Sequence, residues 1–450
     1  MTSTGNAHAI AAFIESMASR PLPSGVLNAA RMCLADWTAV TVGAHDQAAG
    51  RLARDMTRHW NANGLAPVFQ AGTAAPVVSA LVNGTFAHCL DFDDTHVGSL
   101  SHLSGPTWAA VLALASERQR PEERVLRAFI AGFEVGARIG GRLFGETVNR
   151  RGFHATSVFG KFAATAAACA LLDLRGPAIA HAMGIAATQG AGLVASFGTM
   201  GKPLHAGKAA MDGVMAAQLA AEGFLANPDL LEPAGEGFAD VLLQDRSLGI
   251  AKLDFDDGWE ILNNTFKPYA ACLMTHPAIE AAREIGTRLA PVRITKVQAR
   301  VNPMALRFAS KTELIEPLDG KFSIAFCIAL GLHGRDVSQA DFNAQSIRDT
   351  ALRQLMTRIE LIADPAVGAT SATLNAIDEA GNDVSSHIPL ASGNPGRPMT
   401  WAQMENKFMS LARPVLGDKA AATFAIFETF GDDTGLPALT AALTEGARSA

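Results

Sequence analysis

Nine residues, "HCLDFDDTH" at 88–96, carry three carboxylates (Asp91, Asp93, Asp94) and two imidazoles (His88, His96), with His102 close behind. Three chemistries suit such a set. It could bind Mg²⁺, Mn²⁺ or iron. It could move protons. It could also be a polar helix end whose carboxylates accept backbone N–H groups. The metal reading, in the manner of helical enzymes acting on diphosphates, needs a second patch of Asn or Asp, Ser and Glu at helical spacing. The nearest candidate, "NDVSSH" from 382, falls in strand-like sequence, so no metal is assigned. Acid/base work is the expectation.

Three further stretches could act with it. In "FGTMGKPLHAGKAAMDG", Gly198, Thr199 and Gly201 form a flexible loop, Pro203 suits a first helical turn, and Lys202 stands at its mouth. Free N–H groups at a helix start favour an anion there, carboxylate or phosphate. The spacing is not that of a Walker loop. In "TFKPYAACLMTHPAIEAA", Lys267, Tyr269 (the single tyrosine) and His276 cluster, and Pro277 can open a helix. In "RRGFHATSVFG", His154 precedes a small-residue helix. Taken singly, each histidine also fits an ordinary structural role. "GARIGG" near 136 lacks a preceding strand, so it does not make a dinucleotide site. No G-x-S-x-G or H-E-x-x-H motif occurs.

The elements that must position these residues are mostly helices up to about residue 264. Apolar residues recur at three and four among Ala, Leu, Met and Glu. "VLNAARMCLADWTAVTVG" predicts a helix ending near Gly43, and "APVVSALVNGTFAHCLDF" one with Asp91 near its C-terminal end. "PEERVLRAFIAGFEVGARIGGRLFG" and "KPLHAGKAAMDGVMAAQLAAEGF" predict two more. Near residue 290 the period changes. "ITKVQARV", "TRIELIAD" and "SATLNAIDEAGNDVSSHIPL" read as strands, the last with a turn at Gly381-Asn382. Between them, "FSIAFCIALGL" and a segment capped by Ser338 read as helices. Helix returns after Thr400. The expected fold is mainly α with an α+β insertion. A large all-helical domain (1–264 and 396–450) carries a smaller α+β lid domain (265–395).

The 450 residues are 49% hydrophobic and 18% charged, enough for a large core and against disorder. A net charge of −6 without a basic stripe argues against nucleic acid as a partner. No segment is long and apolar enough to suggest a membrane partner. The N-terminus lacks a basic region before an apolar run, and five scattered cysteines form no C-x-x-C pair. Both features suit a cytoplasmic protein.

The order "AHCLDFDDTH … SH … GFHATSVFG … FGTMGKPLHAGKAA … KPYAACLMTHPAIEA … GKFSIAFCIALGL … PMTWAQMENKF" resembles the MmgE/PrpD family from about residue 25 to 410. That family contains 2-methylcitrate dehydratases, cis-aconitate decarboxylases and iminodisuccinate epimerases. The resemblance implies a helical domain made by both chain ends, an inserted lid domain, a homodimer, and an active site between the domains without metal or organic cofactor. Carried over motif by motif, it implies Asp91 and Thr95 from L-D-F-D-D-T and His102 from the histidine that follows. It further implies His154 from G-F-H, Lys202 and His205 from the K-P-L-H segment, and Lys267, Tyr269 and His276 from K-P-Y … T-H. Two departures stand out. Leu103 follows His102 where proline is frequent, and Leu273 stands where many members carry arginine. An arginine there would clamp a carboxylate bidentately; Leu273 leaves room for a smaller or less charged acid.

The implied activities share a carbanion-like centre beside a carboxylate. Lys202, Lys267 and the loop amides are expected to hold a small carboxylic-acid substrate, with His205, Thr95 and Tyr269 beside it. His102 is expected to transfer the proton, oriented by Asp91, with His154 and His276 as further catalytic groups and Asp93 and Asp94 structural. The leading expectation is a lyase, a dehydratase or decarboxylase of a small di- or tricarboxylic acid. An epimerase of an amino- or imino-dicarboxylic acid is the runner-up, and a non-catalytic carboxylate-binding protein the third reading.

Overall fold

A computed structural model of the chain describes residues 5–141, 144–232, 237–245, 250–432 and 435–444. The chain forms two compact units, Met1–Thr265 with Trp401–Ala450, and Phe266–Thr400. It is mainly α with an α+β part.

The principal helices of the first unit are α1 (Ser24–Gly43), α2 (Pro76–Ala87), α3 (Ser104–Arg118), α4 (Glu122–Gly140), α5 (Ala155–Leu171) and α6 (Gly201–Ala221). In the second unit lie α7 (His276–Gly286) and α8 (Ile324–Leu332), and α9 (Trp401–Leu416) returns to the first. Proline stands in the first turn of α2 and α7, where its missing N–H costs nothing. α5 packs on α3, α4 and α6, and is buried along almost its whole length. α6 also lies along α2. That approach requires glycine on both sides. A Cβ at Gly207 would stand 2.2 Å from the Leu81 carbonyl oxygen, and one at Gly84 2.9 Å from the Gly207 Cα. The close contact brings the start of α6 beside the end of α2, where the polar residues lie.

The expectation that α2 continues to Asp91 is corrected. The helix stops at Ala87, and Asp91 takes φ +51. Aspartate tolerates this left-handed region better than most side chains, and the turn folds 88–96 back on itself. Within the first unit β1 (Thr95–His96) pairs antiparallel with β2 (Asn264–Thr265).

Four strands build the sheet of the second unit: β3 (Ile294–Val301), β4 (Ile359–Ala363), β5 (Ala372–Asp378) and β6 (Asp383–Ile388), in the order β4-β3-β5-β6. β3 runs parallel to β4 and antiparallel to β5. Gly381, at φ +80, turns β5 into β6 as expected. α7 covers β5 and β6 and packs on α8. The helix expected from Ser338 is corrected. Ser338 and Asp341 close a capping box around one short turn, and Asn343 Oδ1 accepts the N–H groups of Gln345 and Ser346. These local bonds compete with helix, which resumes only at Thr350 behind Asp349.

Candidate active site

Asp93 is the centre of the polar cluster in the first unit. Its Oδ2 lies 2.8 Å from Nδ1 of His88 and 3.2 Å from Nδ1 of His102. Burial raises the Asp93 carboxyl, but the imidazoles of His102 and His88 outweigh it and hold Asp93 well below the usual carboxylate range. An ionised Asp93 therefore accepts the Nδ1–H of His88 and lies within ion-pair distance of His102. Thr95 Oγ1 stands 3.4 Å from His102 Nδ1, and the His102 backbone N–H donates to Thr156 Oγ1 at 3.0 Å. Sequence reasoning assigns the orienting carboxylate to Asp91 and a structural role to Asp93. In the structure Asp93 Oδ2 stands 3.2 Å from His102 Nδ1, and Asp91 forms a buried ion pair with Lys202.

The imidazoles form a continuous group. His88 meets His102 edge to face, with ring centroids 4.7 Å apart, and stacks on His154 at 5.5 Å. His154 and His205 face each other through Nδ1 atoms 3.1 Å apart, so one donates and the other accepts. Phe197 lies against His154 at 4.9 Å, with the Lys202 ammonium 5.2 Å from its ring centroid. Burial, then the neighbouring His88 and Lys202, holds His154 well below the usual histidine range. Burial and Lys202 lower His205 as well. Burial pushes His88 down to about 4, against the opposing pull of Asp93. These three rings are neutral near pH 7, the state of a base rather than of a fixed cation.

Local sequence explains the placement. The Gly192 carbonyl accepts the His154 N–H at 2.8 Å, and its own N–H donates to Ser157 Oγ at 2.8 Å. A Cβ on Gly192 would come within 2.3 Å of the His205 ring, so only glycine lets that ring reach His154. The expected anion-binding amides at the start of α6 are partly used. Thr199 Oγ1 accepts from Gly201 N–H at 3.1 Å, and the Thr199 carbonyl from Lys202 N–H at 3.3 Å.

Beneath the 88–96 turn lies a buried charge cluster. Lys407 of α9 pairs with Asp36 of α1 at 2.6 Å and donates to the Phe92 carbonyl at 2.7 Å. Asp36 Oδ2 accepts the Asp94 N–H at 3.0 Å. Asp94 accepts from Ser104 and from Asn264, the latter at 2.7 Å. Burial, with Asp36 nearby, pushes Asp94 up to about 7. Three distant segments thus pin the turn that carries Asp91, Asp93 and Thr95.

Lys267, Tyr269 and His276 belong to the second unit. There Tyr269 meets His276 edge to face at 5.3 Å, and His276 Nε2 donates to the Ala271 carbonyl at 3.2 Å. Lys267 and His276 are buried, and burial, then Glu280, pushes Tyr269 up to about 12. Among the described residues, His88, Asp93 and His102 also have the donor set that could accept a metal, with atoms within 4.8 Å of one another. The contacts between them engage the two Nδ1 atoms and Asp93 Oδ2.

A mainly α chain with an α+β part and a buried imidazole–carboxylate cluster is the class defined so far. The MmgE/PrpD N-terminal domain matches residues 8–251 and the MmgE/PrpD C-terminal domain residues 269–432, so the chain belongs to the MmgE/PrpD family. Cis-aconitate decarboxylase from Aspergillus terreus (strain NIH 2624 / FGSC A1156) is 27% identical over 354 residues, covering 73% of this chain and 72% of the relative. The cis-aconitate decarboxylases of Homo sapiens and Mus musculus are each 26% identical, covering 76% of this chain and 73% and 72% of the relatives. Among the described residues no helix is long and apolar enough to cross a membrane.

Proposed function

We propose that the chain is a lyase that removes CO₂ or water from a small di- or tricarboxylic acid, using its own side chains. The observation that carries this reading is His102 held by an ionised Asp93 within a buried group that includes His154 and Lys202. The relatives favour the carboxy-lyase form. In that form the C–C bond to one carboxylate breaks, CO₂ departs, and the electron pair stays on carbon. His102, protonated at Nε2 and held through Nδ1–H by Asp93, delivers its proton to that carbon. Asp93 stabilises the imidazolium before transfer. Lys202 and His205 hold the remaining carboxylate, His154 orients it, and Thr95 lines the His102 side.

The assignment extends Lys267, Tyr269 and His276 as further substrate-contacting groups on family grounds. The assembly is proposed as a homodimer, which light scattering would report as twice the 47.0 kDa chain mass. A cytosolic setting suits its cysteines, none of which is in a disulfide among the described residues.

The test is a panel of di- and tricarboxylic acids followed by proton NMR. Loss of CO₂ or water from one acid supports the reading. Exchange at carbon in D₂O without either loss makes the chain an epimerase instead. Saturable binding with no turnover of any kind makes it a carboxylate-binding protein.

A further inference from the structure

We propose that His88 is a positioning residue: its Nδ1–H fixes the carboxylate of Asp93 so that the same oxygen meets His102. The inference rests on His102 being the proton-transfer group proposed above. His88 is fully buried, so it acts through Asp93.

Three observations carry it. First, both rings converge on a single oxygen, Asp93 Oδ2, and the His88 contact is the shorter, 2.8 against 3.2 Å. Among the described residues Asp93 Oδ1 has no hydrogen-bond partner. The carboxylate is therefore held through one oxygen, and His88 is its nearer holder. Second, His88 is itself fixed. Its backbone N–H bonds to the Thr85 carbonyl at the end of α2, at 3.2 Å, and its ring lies against both His102 and His154. Third, His88 Nε2 is buried without a hydrogen-bond partner among the described residues. Such an orphan is destabilising, a cost that an apolar side chain would avoid. A buried unsatisfied group calls for a reason, and the Nδ1 bond to Asp93 supplies one. Asp93 Oδ2, facing the Nδ1 atoms of both rings, also favours the Nδ1–H tautomer of each. The lone pair or acid proton of His102 is thereby placed at Nε2, on the far side of the ring.

The test separates the hydrogen bond from the ring. His88→Phe keeps a flat ring and removes the donor. His88→Asn loses the ring but places an amide N–H near the former Nδ1. His88→Leu also lacks the donor and serves if His88→Phe does not fold. Each variant is measured for kcat and KM on the acid the wild type turns over. Each is also measured by ¹H–¹⁵N spectra of ¹⁵N-histidine protein, with the His102 Nδ1–H assigned by its loss in His102→Gln. The expected result is a kcat loss of about 10- to 100-fold in His88→Phe, with KM changed less than about threefold. The His102 Nδ1–H signal shifts and exchanges faster. His88→Asn recovers at least about tenfold of the lost kcat and restores the signal. An unmoved signal with wild-type kcat in the donorless variants overturns the proposal. So does equal damage in His88→Asn and His88→Phe. If the wild type turns over no acid, the lyase reading fails, and the His102 signal alone still decides the role of His88.

Discussion

Replacing Asp93 by asparagine removes one charge and almost no volume. In the native chain Asp93 Oδ2 accepts from His88 and stands 3.2 Å from Nδ1 of His102. An asparagine oxygen in the same place can still accept from either ring, so the rings need not move. What is lost is the attraction between the carboxylate and an imidazolium on His102. Two unit charges about 4 Å apart interact by about 4 kcal/mol at an effective dielectric near 20. If that difference is expressed fully between the charged and neutral ring, it corresponds to about a thousandfold in rate. Partial expression lowers this to about a hundredfold. The prediction for Asp93→Asn is a kcat lowered by about 10²–10³, with KM within about threefold, because Lys202 and Asp91 are untouched. The assay is initial-rate turnover by NMR or ultraviolet absorbance, with a thermal melt to show that the variant is folded. A folded Asp93→Asn protein with kcat within a factor of about three of wild type refutes the role given to Asp93.

Three further outcomes follow from the same geometry. Lys202→Met breaks a buried ion pair with Asp91 and should destabilise by about 3–5 kcal/mol; adding Asp91→Asn should recover part of that stability but none of the activity, as denaturant titration and turnover will show. Gly192→Ala places a Cβ against the His205 ring, so a stability loss of about 1–3 kcal/mol with a raised KM is expected. The pH dependence of His88 has a definite sign. Its folded pKa is about 4, below the ordinary value near 6.5, so the unfolded chain takes up a proton that the fold refuses, and stability falls as pH drops through that window. Between pH 7 and 4.5 this amounts to about 2 kcal/mol, so His88→Phe should lose about that much less stability than wild type over the same range; equal losses would contradict the burial of a neutral His88.

Much of the fold was legible because its elements carry strong periods. The strand Ile294–Val301, the hairpin through Gly381 and the helices Ser24–Gly43 and Gly201–Ala221 follow from alternation and three-four spacing. The candidate site was half legible. His102, His154, Lys202 and His205 could be picked by residue type and motif, and the first unit brings His154 and His205 into direct contact. The link from His88 through Asp93 to His102 could not be read. On a continued helix residues 88 and 93 would point about 140° apart, so nothing in the spacing suggests that they touch. They meet because the helix ends at Ala87 and Asp91 turns at φ +51. A histidine five residues before an aspartate becomes a signal only once that break is known. Lys407 was hidden for another reason. A lone lysine in an amphipathic helix reads as surface, whereas its partner Asp36 comes from the opposite end of the chain.

The most direct measurement compares wild type with His102→Gln, on the turned-over acid in D₂O, by mass spectrometry and NMR of the product. In the carboxy-lyase form the wild type should place one deuterium at the carbon that loses CO₂, whereas loss of water adds none to the product. His102→Gln should bind the acid with similar affinity yet form product at least about a hundredfold more slowly. Product formed at the wild-type rate by His102→Gln would show that another group carries the proton.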